Sequence, residues 1–313
     1  MSTLEHSELP AGTTVTGRTR GQQYVVQRTL GKGTNGIVYL VSNAQGQQYA
    51  LKMATVNHNL QPEIKLLFSL HKHWKLTGRN DSNRYLYDVD DYEETGESIP
   101  FYVMKYVKGQ PLSLYLRARG ADRIGIAGLG VLEILSELHE SGWVFGDLKA
   151  EHVIMSDEGQ VDLIDYGGAR PQGQSIHQFT EWYDRKYWKA GDRVGDYAYD
   201  LFAFAVICLK LFNEPGLQRI ISTQLPQIRS EADLVQLIDH TPGLRLYNGW
   251  LKKAVKGEFR STREAYYSWR AITRSGLPGN RSSNDLMTMR LRNAFIWSLI
   301  GLGIVLLAIY FRG

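Results

Sequence analysis

The chain has 313 residues, of which 43% are hydrophobic and 22% charged, with a net charge of +4. These values exclude a mainly disordered chain, and the charge is too small and too dispersed to imply a polyanionic partner. The one cysteine, Cys208, lies in the apolar run Leu201 to Phe212 and has no internal disulfide partner, so it reads as a buried thiol in a reducing compartment.

Residues 1–21 read as a polar, poorly ordered arm with no charged leader ahead of an apolar stretch, so no secretory signal is expected. Two alternating apolar runs, Tyr24-Val25-Val26 and Ile37 to Val41, flank Gly31-Lys32-Gly33-Thr34-Asn35-Gly36. That pattern is a β-hairpin with a glycine-rich turn, whose backbone is free to lie against phosphate oxygens because no Cβ holds it away. An ordinary hairpin turn fits the string equally well until Lys52 is considered. Gln47 to Leu51 read as the next strand after a turn at Asn43 to Gly46, and a lysine at its end can reach phosphates beneath the loop. Glu63, ahead of Leu66, Leu67 and Leu70 on a helical spacing, is the candidate ion-pair partner of Lys52, and it also suits a helix N-terminus after Pro62.

Phe101 to Val107 form a further strand, entered through Ile99-Pro100 and stopped at Lys108-Gly109-Gln110-Pro111. Such a stop suits a connector between two lobes. Met104 would then guard the back of a nucleotide pocket, and the backbone of Lys105 and Val107 would hydrogen-bond adenine. A helical run from Ile126 to Leu138 leads into Phe145-Gly146-Asp147-Leu148-Lys149, where Asp147 is placed to accept a hydroxyl proton and Lys149 to neutralise a γ-phosphate. Val161 to Ile164 then form a short strand that delivers Asp165, in Asp165-Tyr166-Gly167, to a metal ion. Together these strings describe a site for moving the γ-phosphate of ATP.

Residues 273–293 turn to Gly, Ser, Pro and Arg and read as a basic juxtamembrane linker; its charge is a topology signal, or a contact for anionic lipid or nucleic acid. From Ala294 to Phe311 no charge occurs, and at ~1.5 Å per residue this run spans ~27 Å, enough for a bilayer. Trp297 and Tyr310 sit near its ends, and a buried core helix, the other reading, would usually carry a polar stripe. Arg281, Arg290 and Arg292 precede the span and Arg312 alone follows it, which puts the preceding residues in the cytoplasm and the chain in the cell membrane as a single-pass protein. With so short a tail, signals are expected from the cytoplasm, from lipid, or from a homodimer formed by association of the spans.

Over residues 22–272 the chain resembles the eukaryotic-like (Hanks-type) Ser/Thr protein kinases, and most nearly their bacterial members. The resemblance rests on Gly31-Lys32-Gly33, Phe145 to Lys149, the pattern Tyr183 to Trp188, and Tyr199-Asp200-Leu201-Phe202-Ala203. It implies an α+β, bilobal protein-kinase-like fold followed by a single C-terminal transmembrane helix at 294–311. It also implies ATP with magnesium, or manganese as the alternative ion, and protein substrates bearing Ser or Thr. Gly31, Gly33 and Gly36 would meet the phosphates, with Val38, Ala50 and Ile154 among the nucleotide-binding positions, Lys52 and Glu63 as the ion pair, Asp147 in catalysis, Asp165 on the metal, and Asp200 holding the catalytic loop from behind.

Four departures qualify the resemblance. Phe145-Gly146 replaces His-Arg, so no arginine remains there to pair an activation-loop phosphate. His152 stands where the family has an Asn metal ligand, and imidazole is a poor ligand for magnesium. The Ala-Pro-Glu triplet near Tyr187 is missing, and Ala150 replaces Pro. An active kinase is the expectation. A pseudokinase serving as a nucleotide-binding interaction module, or a small-molecule kinase, is the alternative, and Lys149 with the segment Thr180 to Trp188 argues for a protein substrate. Ser175, Thr180 and Tyr183 are candidate autophosphorylation sites.

Overall fold

A computed structural model describes residues 8–33, 36–55, 59–76, 85–94, 96–177 and 180–276; the expected linker beyond 276 and the expected span at 294–311 lie outside the described residues. Met1–Arg270 form one compact unit and Ala271–Gly313 a second. Among the described residues no helix is long and apolar enough to cross a membrane.

The chain starts with β1 (Thr14–Thr16), β2 (Gln23–Gly33), β3 (Gly36–Ser42), β4 (Gln48–Met53), helix α1 (Gln61–Leu76), β5 (Leu86–Glu94) and β6 (Glu97–Lys105). The six strands form one sheet in the order β1-β2-β3-β4-β6-β5. Side chains alternate across a strand, so Ile37, Tyr39 and Val41, Leu51 and Met53, and Ile99, Phe101 and Val103 share one face and bury a common core. The same alternation sends Val38, Ala50, Lys52, Tyr102 and Met104 to the other face. There the register lines up Val38 with Lys52 and Lys52 with Tyr102, and one pair along, Leu40 with Ala50 and Ala50 with Met104.

The N-terminal arm departs from its expected disorder in its described part. Leu9 and Val15 are buried in that same core, and the Leu9 amide donates to the Tyr39 hydroxyl at 3.1 Å. The turn before β2 is fixed by Asp90, which accepts from the amides of Thr19 (2.9 Å) and Arg20 (2.7 Å). Strand β6 begins at Glu97, so Ile99 and Pro100 lie within it and are not its entrance; Pro100 is tolerated opposite Asp91 of the edge strand β5.

After β6 come β7 (Gln110–Pro111), α2 (Leu112–Arg119), α3 (Ile124–Glu140), β8 (Trp143–Val144), β9 (Val153–Met155), β10 (Val161–Leu163) and β11 (Arg170–Pro171). The described residues end in α4 (Tyr197–Thr223), α5 (Glu231–Asp239), α6 (Asn248–Val255) and α7 (Thr262–Gly276), so helix continues past residue 272 into the start of the expected linker. The run Leu201 to Leu209 of α4 is buried all round, as its unbroken apolar composition requires, and holds Cys208, whose thiol burial pushes well above its ordinary pKa. Phe204, Trp250 and Trp269 pack edge to face around it. The helix breaks at Asn213 (φ −152°, ψ 52°), two residues before Pro215.

Candidate active site

Lys52 is the penultimate residue of β4, paired on both sides, and is 3% exposed. A buried ammonium needs anionic partners, and it has two. Its Nζ lies 3.0 and 2.8 Å from Oε1 and Oε2 of Glu63 on α1, and 3.0 Å from Oδ1 of Asp165. Burial pulls the Lys52 pKa down, but Glu63 and Asp165 outweigh it and hold the group above the ordinary lysine value. Glu63 reaches the site because α1 begins just before it, with the Gln61 amide capped by Asn59 at 2.9 Å, and because Leu66, Leu67 and Leu70 turn that face of the helix inward. The hydroxyl of Tyr102 donates to Glu63 Oε2 at 2.6 Å, a fourth member of the cluster that the sequence reading does not single out.

Asp165 follows β10 in the left-handed region (φ 60°, ψ 75°), a conformation Asp tolerates better than most residues. Burial pushes its carboxyl up, but Lys52 and then His152 outweigh it and hold it below the usual carboxylate range. The next residue, Tyr166, packs edge-on against Phe145 (centroids 5.3 Å apart) and Tyr85 (6.2 Å).

The catalytic loop hangs from α4. Asp200, with no exposed surface, accepts from the amides of Phe145 (2.7 Å) and Gly146 (2.9 Å), and His139 Nε2 lies 2.9 Å from the same carboxylate. The other ring nitrogen of His139 is 2.6 Å from the Thr262 hydroxyl, a brace the sequence reading misses because the partners are so far apart along the chain. Gly146 has φ 73°, and a Cβ there would come within 2.8 Å of the Gly168 carbonyl oxygen. The loop therefore leaves no room for the arginine that the family has at this place.

On that loop Lys149 Nζ lies 2.9 Å from Oδ1 and 3.0 Å from Oδ2 of Asp147. His152 Nδ1 is 2.8 Å from the Asp147 carbonyl oxygen, and its Nε2 is 3.8 Å from Asp165 Oδ2. Among the described residues no group of three or more His, Cys, Asp or Glu is placed to hold a metal alone.

The nucleotide-binding candidates divide by what surrounds them. At Gly31 and Gly33 an added Cβ would meet no protein atom within 4 Å, whereas at Gly36 (φ 148°) it would strike the Met53 carbonyl at 2.4 Å. Gly36 is demanded by the sheet itself; the first two leave open space on the loop, the arrangement an incoming phosphate requires. Ala50 is buried while Val38 and Met104 are partly buried on the cleft face, and Ile154 lies on β9 against Gly109. Lys105 ends β6 with Nζ 3.3 Å from both carboxylate oxygens of Asp162. Val107 lies beyond it, partly buried, in the segment between β6 and β7.

The segment where the expected triplet is missing is held by charge. Arg185 makes a two-pronged pair with Asp196 (2.8 Å each) and donates to the carbonyls of Asp192 (2.7 Å) and Val194 (3.2 Å). Asp184, fully buried, pairs with Arg193 and accepts from the Lys186 amide at 3.0 Å. Glu181 pairs with Arg229, whose guanidinium also lies over the Trp188 ring. Of the candidate phosphorylation sites, Ser175 is exposed and Thr180 partly so. Tyr183 is 1% exposed and is not presented to a second active site.

Residues 24–250 match the protein kinase domain. The chain is 34% identical over 261 residues to the serine/threonine-protein kinase YabT of Bacillus subtilis, covering 82% of this chain and 73% of that one. It is 28% identical over 168 residues to a probable serine/threonine-protein kinase of Streptomyces coelicolor, covering 52% of this chain and 25% of that longer protein. In fold it matches vaccinia related kinase 3, with a TM-score of 0.62 at 17% identity, covering 88% of this chain and 98% of that one. The chain belongs to the protein kinase family, as an ATP-dependent enzyme of the bacterial Hanks-type Ser/Thr branch.

Proposed function

We propose that this protein kinase is a membrane-anchored enzyme that transfers the γ-phosphate of ATP to serine or threonine hydroxyls of cytoplasmic proteins. The observation that carries the catalytic part is the meeting of Lys52, Glu63 and Asp165 within 3.0 Å, drawn from β4, α1 and the turn after β10. Glu63 and Tyr102 hold Lys52 in place to neutralise the α- and β-phosphates, while the open loop at Gly31 and Gly33 leaves backbone free to cover them. The adenine edge would lie along Lys105 and Val107, with Val38, Ala50, Met104 and Ile154 around the base.

In this reading Asp147 receives the proton of the attacking hydroxyl, and Lys149, 3.0 Å from it, offsets the negative charge gathering on the γ-phosphate oxygens. Asp165 and His152 would hold the divalent ion, which supplies charge neutralisation to the phosphates when bound. The anchoring part rests on the uncharged run Ala294 to Phe311 and the arginines before it.

The test is transfer of labelled phosphate from ATP to the chain and to a generic acceptor, with the full chain in detergent and Asp165→Asn beside it. Transfer that depends on Asp165 and yields phosphoserine or phosphothreonine supports the reading. ATP binding without transfer would convert it to the pseudokinase. Sedimentation with membranes after alkaline carbonate washing, lost on deleting residues 294–311, is the expected result for the anchor; a soluble full chain would overturn that part.

A further inference from the structure

We propose that Lys210 sets the charge class of the acceptor: it turns away basic residues beside the target hydroxyl and favours acidic ones. The inference rests on the protein-acceptor reading above and adds which sequences that acceptor carries.

Lys210 follows the buried run of α4, and its long stem carries the ammonium out toward the surface. There it joins three elements. Its Nζ lies 3.5 Å from Oε1 of Glu151, in the short helical turn Ala150–His152 that follows Lys149. It also sits over the rings of Trp182 and Tyr183, 5.2 and 6.0 Å from their centroids. Both rings belong to the turn Glu181–Tyr183. A cation is drawn to aromatic faces, so the ammonium is held between one carboxylate and two rings.

This place adjoins the catalytic aspartate. Glu151 is four residues beyond Asp147 on the same loop. The phenol of Tyr183 is 1% exposed and has no hydrogen-bond partner among the described residues. Burial first, and then Glu151, Glu214 and Asp147, push it above its ordinary pKa, so the three carboxylates share one neighbourhood. By themselves they would draw the ammonium and guanidinium groups of an incoming peptide.

Lys210 changes that choice. Its ion pair matches the charge of Glu151, and its own side chain, 26% exposed, is left for a peptide to meet. A basic side chain must displace Lys210 or lie against a like charge, whereas an acidic one gains a partner. Selection of this kind works through repulsion of the wrong partner as much as attraction of the right one. Like charges about 6 Å apart near a protein surface repel by enough for about a tenfold change in kcat/KM. The pair with the more exposed Glu151 adds little to stability, so Lys210 acts chiefly on what approaches it.

The full chain in detergent is given peptides of one sequence with a central serine and Glu, Ala or Arg at each of the neighbouring places on either side. Each kcat/KM is divided by that of the alanine-flanked peptide, so a general loss of activity in a variant cancels. The expected result in the wild type is a preference for Glu over Arg of about tenfold at one or more places. Lys210→Arg keeps the preference, Lys210→Gln reduces it to about unity, and Lys210→Glu reverses it; Lys210→Gln carries the test if the charge-reversed chain does not fold. Equal values for the Glu and Arg peptides in the wild type, a preference for Arg, or a preference for Glu that survives in Lys210→Gln overturns the proposal and leaves the kinase reading standing. Transfer to none of the peptides while an ATP analogue still binds overturns the protein-acceptor reading and this proposal with it.

Discussion

Two charged clusters face each other across this molecule's chemistry, and they are built on different principles. The cluster around Lys52 draws on three separate elements and reaches 113 residues along the chain to Asp165, and Lys52 Nζ donates to side-chain carboxylates. The cluster in the segment Glu181 to Asp196 is local, with Arg185 and Asp196 11 residues apart and Asp184 and Arg193 9 apart. Its members are also stitched into the main chain: Asp196 accepts the Tyr199 amide at 2.8 Å at the start of α4, and Arg185 donates to two carbonyls. The first arrangement assembles a site whose outer member, Asp165, remains half exposed and able to exchange its partner for a ligand. The second fixes the course of a loop, without the Ala-Pro-Glu triplet and without an arginine before Asp147 to receive a phosphate.

That contrast can be broken by mutation, since the first cluster should answer in turnover and the second in stability and substrate binding. Asp147→Asn removes the proton acceptor and touches neither cluster's framework; kcat is expected to fall by about 10²–10⁴-fold with little change in melting temperature. Lys52→Met leaves Glu63 buried beside Asp165 without its cation. Loss of phosphate transfer should come with destabilisation on the order of 3–5 kcal/mol, read by urea unfolding.

Asp184→Asn sharpens the distinction. It removes a fully buried charge from Arg193, so about 2–3 kcal/mol of stability should be lost, with the KM for a protein acceptor raised and the affinity for ATP unchanged. An equal loss of ATP affinity would show that the two clusters are one unit. Gly146→Ala forces a Cβ toward the Gly168 carbonyl at positive φ, for which about 1–2 kcal/mol is expected, measured as a shift of the unfolding midpoint.

The smallest effect concerns pH. Because the folded-state pKa of Asp165 is depressed, its contribution to stability is present above the unfolded value of about 4 and is lost as pH falls through the folded value. Melting temperature followed from pH 6 downward should fall less steeply below about pH 4 in Asp165→Asn than in the wild type. Identical acid limbs would show that Asp165 is not stabilised by Lys52 and His152 in the folded chain.

Where the chemistry lies on local pattern, the sequence was sufficient. The hairpin around the glycine-rich loop and the strand carrying Lys52 follow from local pattern, and Lys149 is two residues from Asp147, whereas Val38 and Ala50 entered only through the family resemblance. Where a strand carries its charges inward, pattern failed: β5 holds Asp88 and Asp90 buried, because Asp88 accepts from Tyr24 (3.0 Å) and Arg20 (3.0 Å), and Asp90 from the Thr19 and Arg20 amides. No local rule anticipates a strand whose buried acids are satisfied by a turn some 70 residues earlier. The polar arm was misread for the same reason, since Leu9 and Val15 find their core only once the sheet exists.

The sequence by itself determined which residues can carry phosphate transfer, because that chemistry needs particular side chains at short spacings. Only the tertiary structure decided what holds them: Tyr102 on Glu63, His139 on Asp200, and the Gly168 carbonyl that makes Gly146 a necessity. The partners of Glu63 and Asp200 lie 39 and 61 residues away along the chain and meet only after folding, which no short window of sequence encodes.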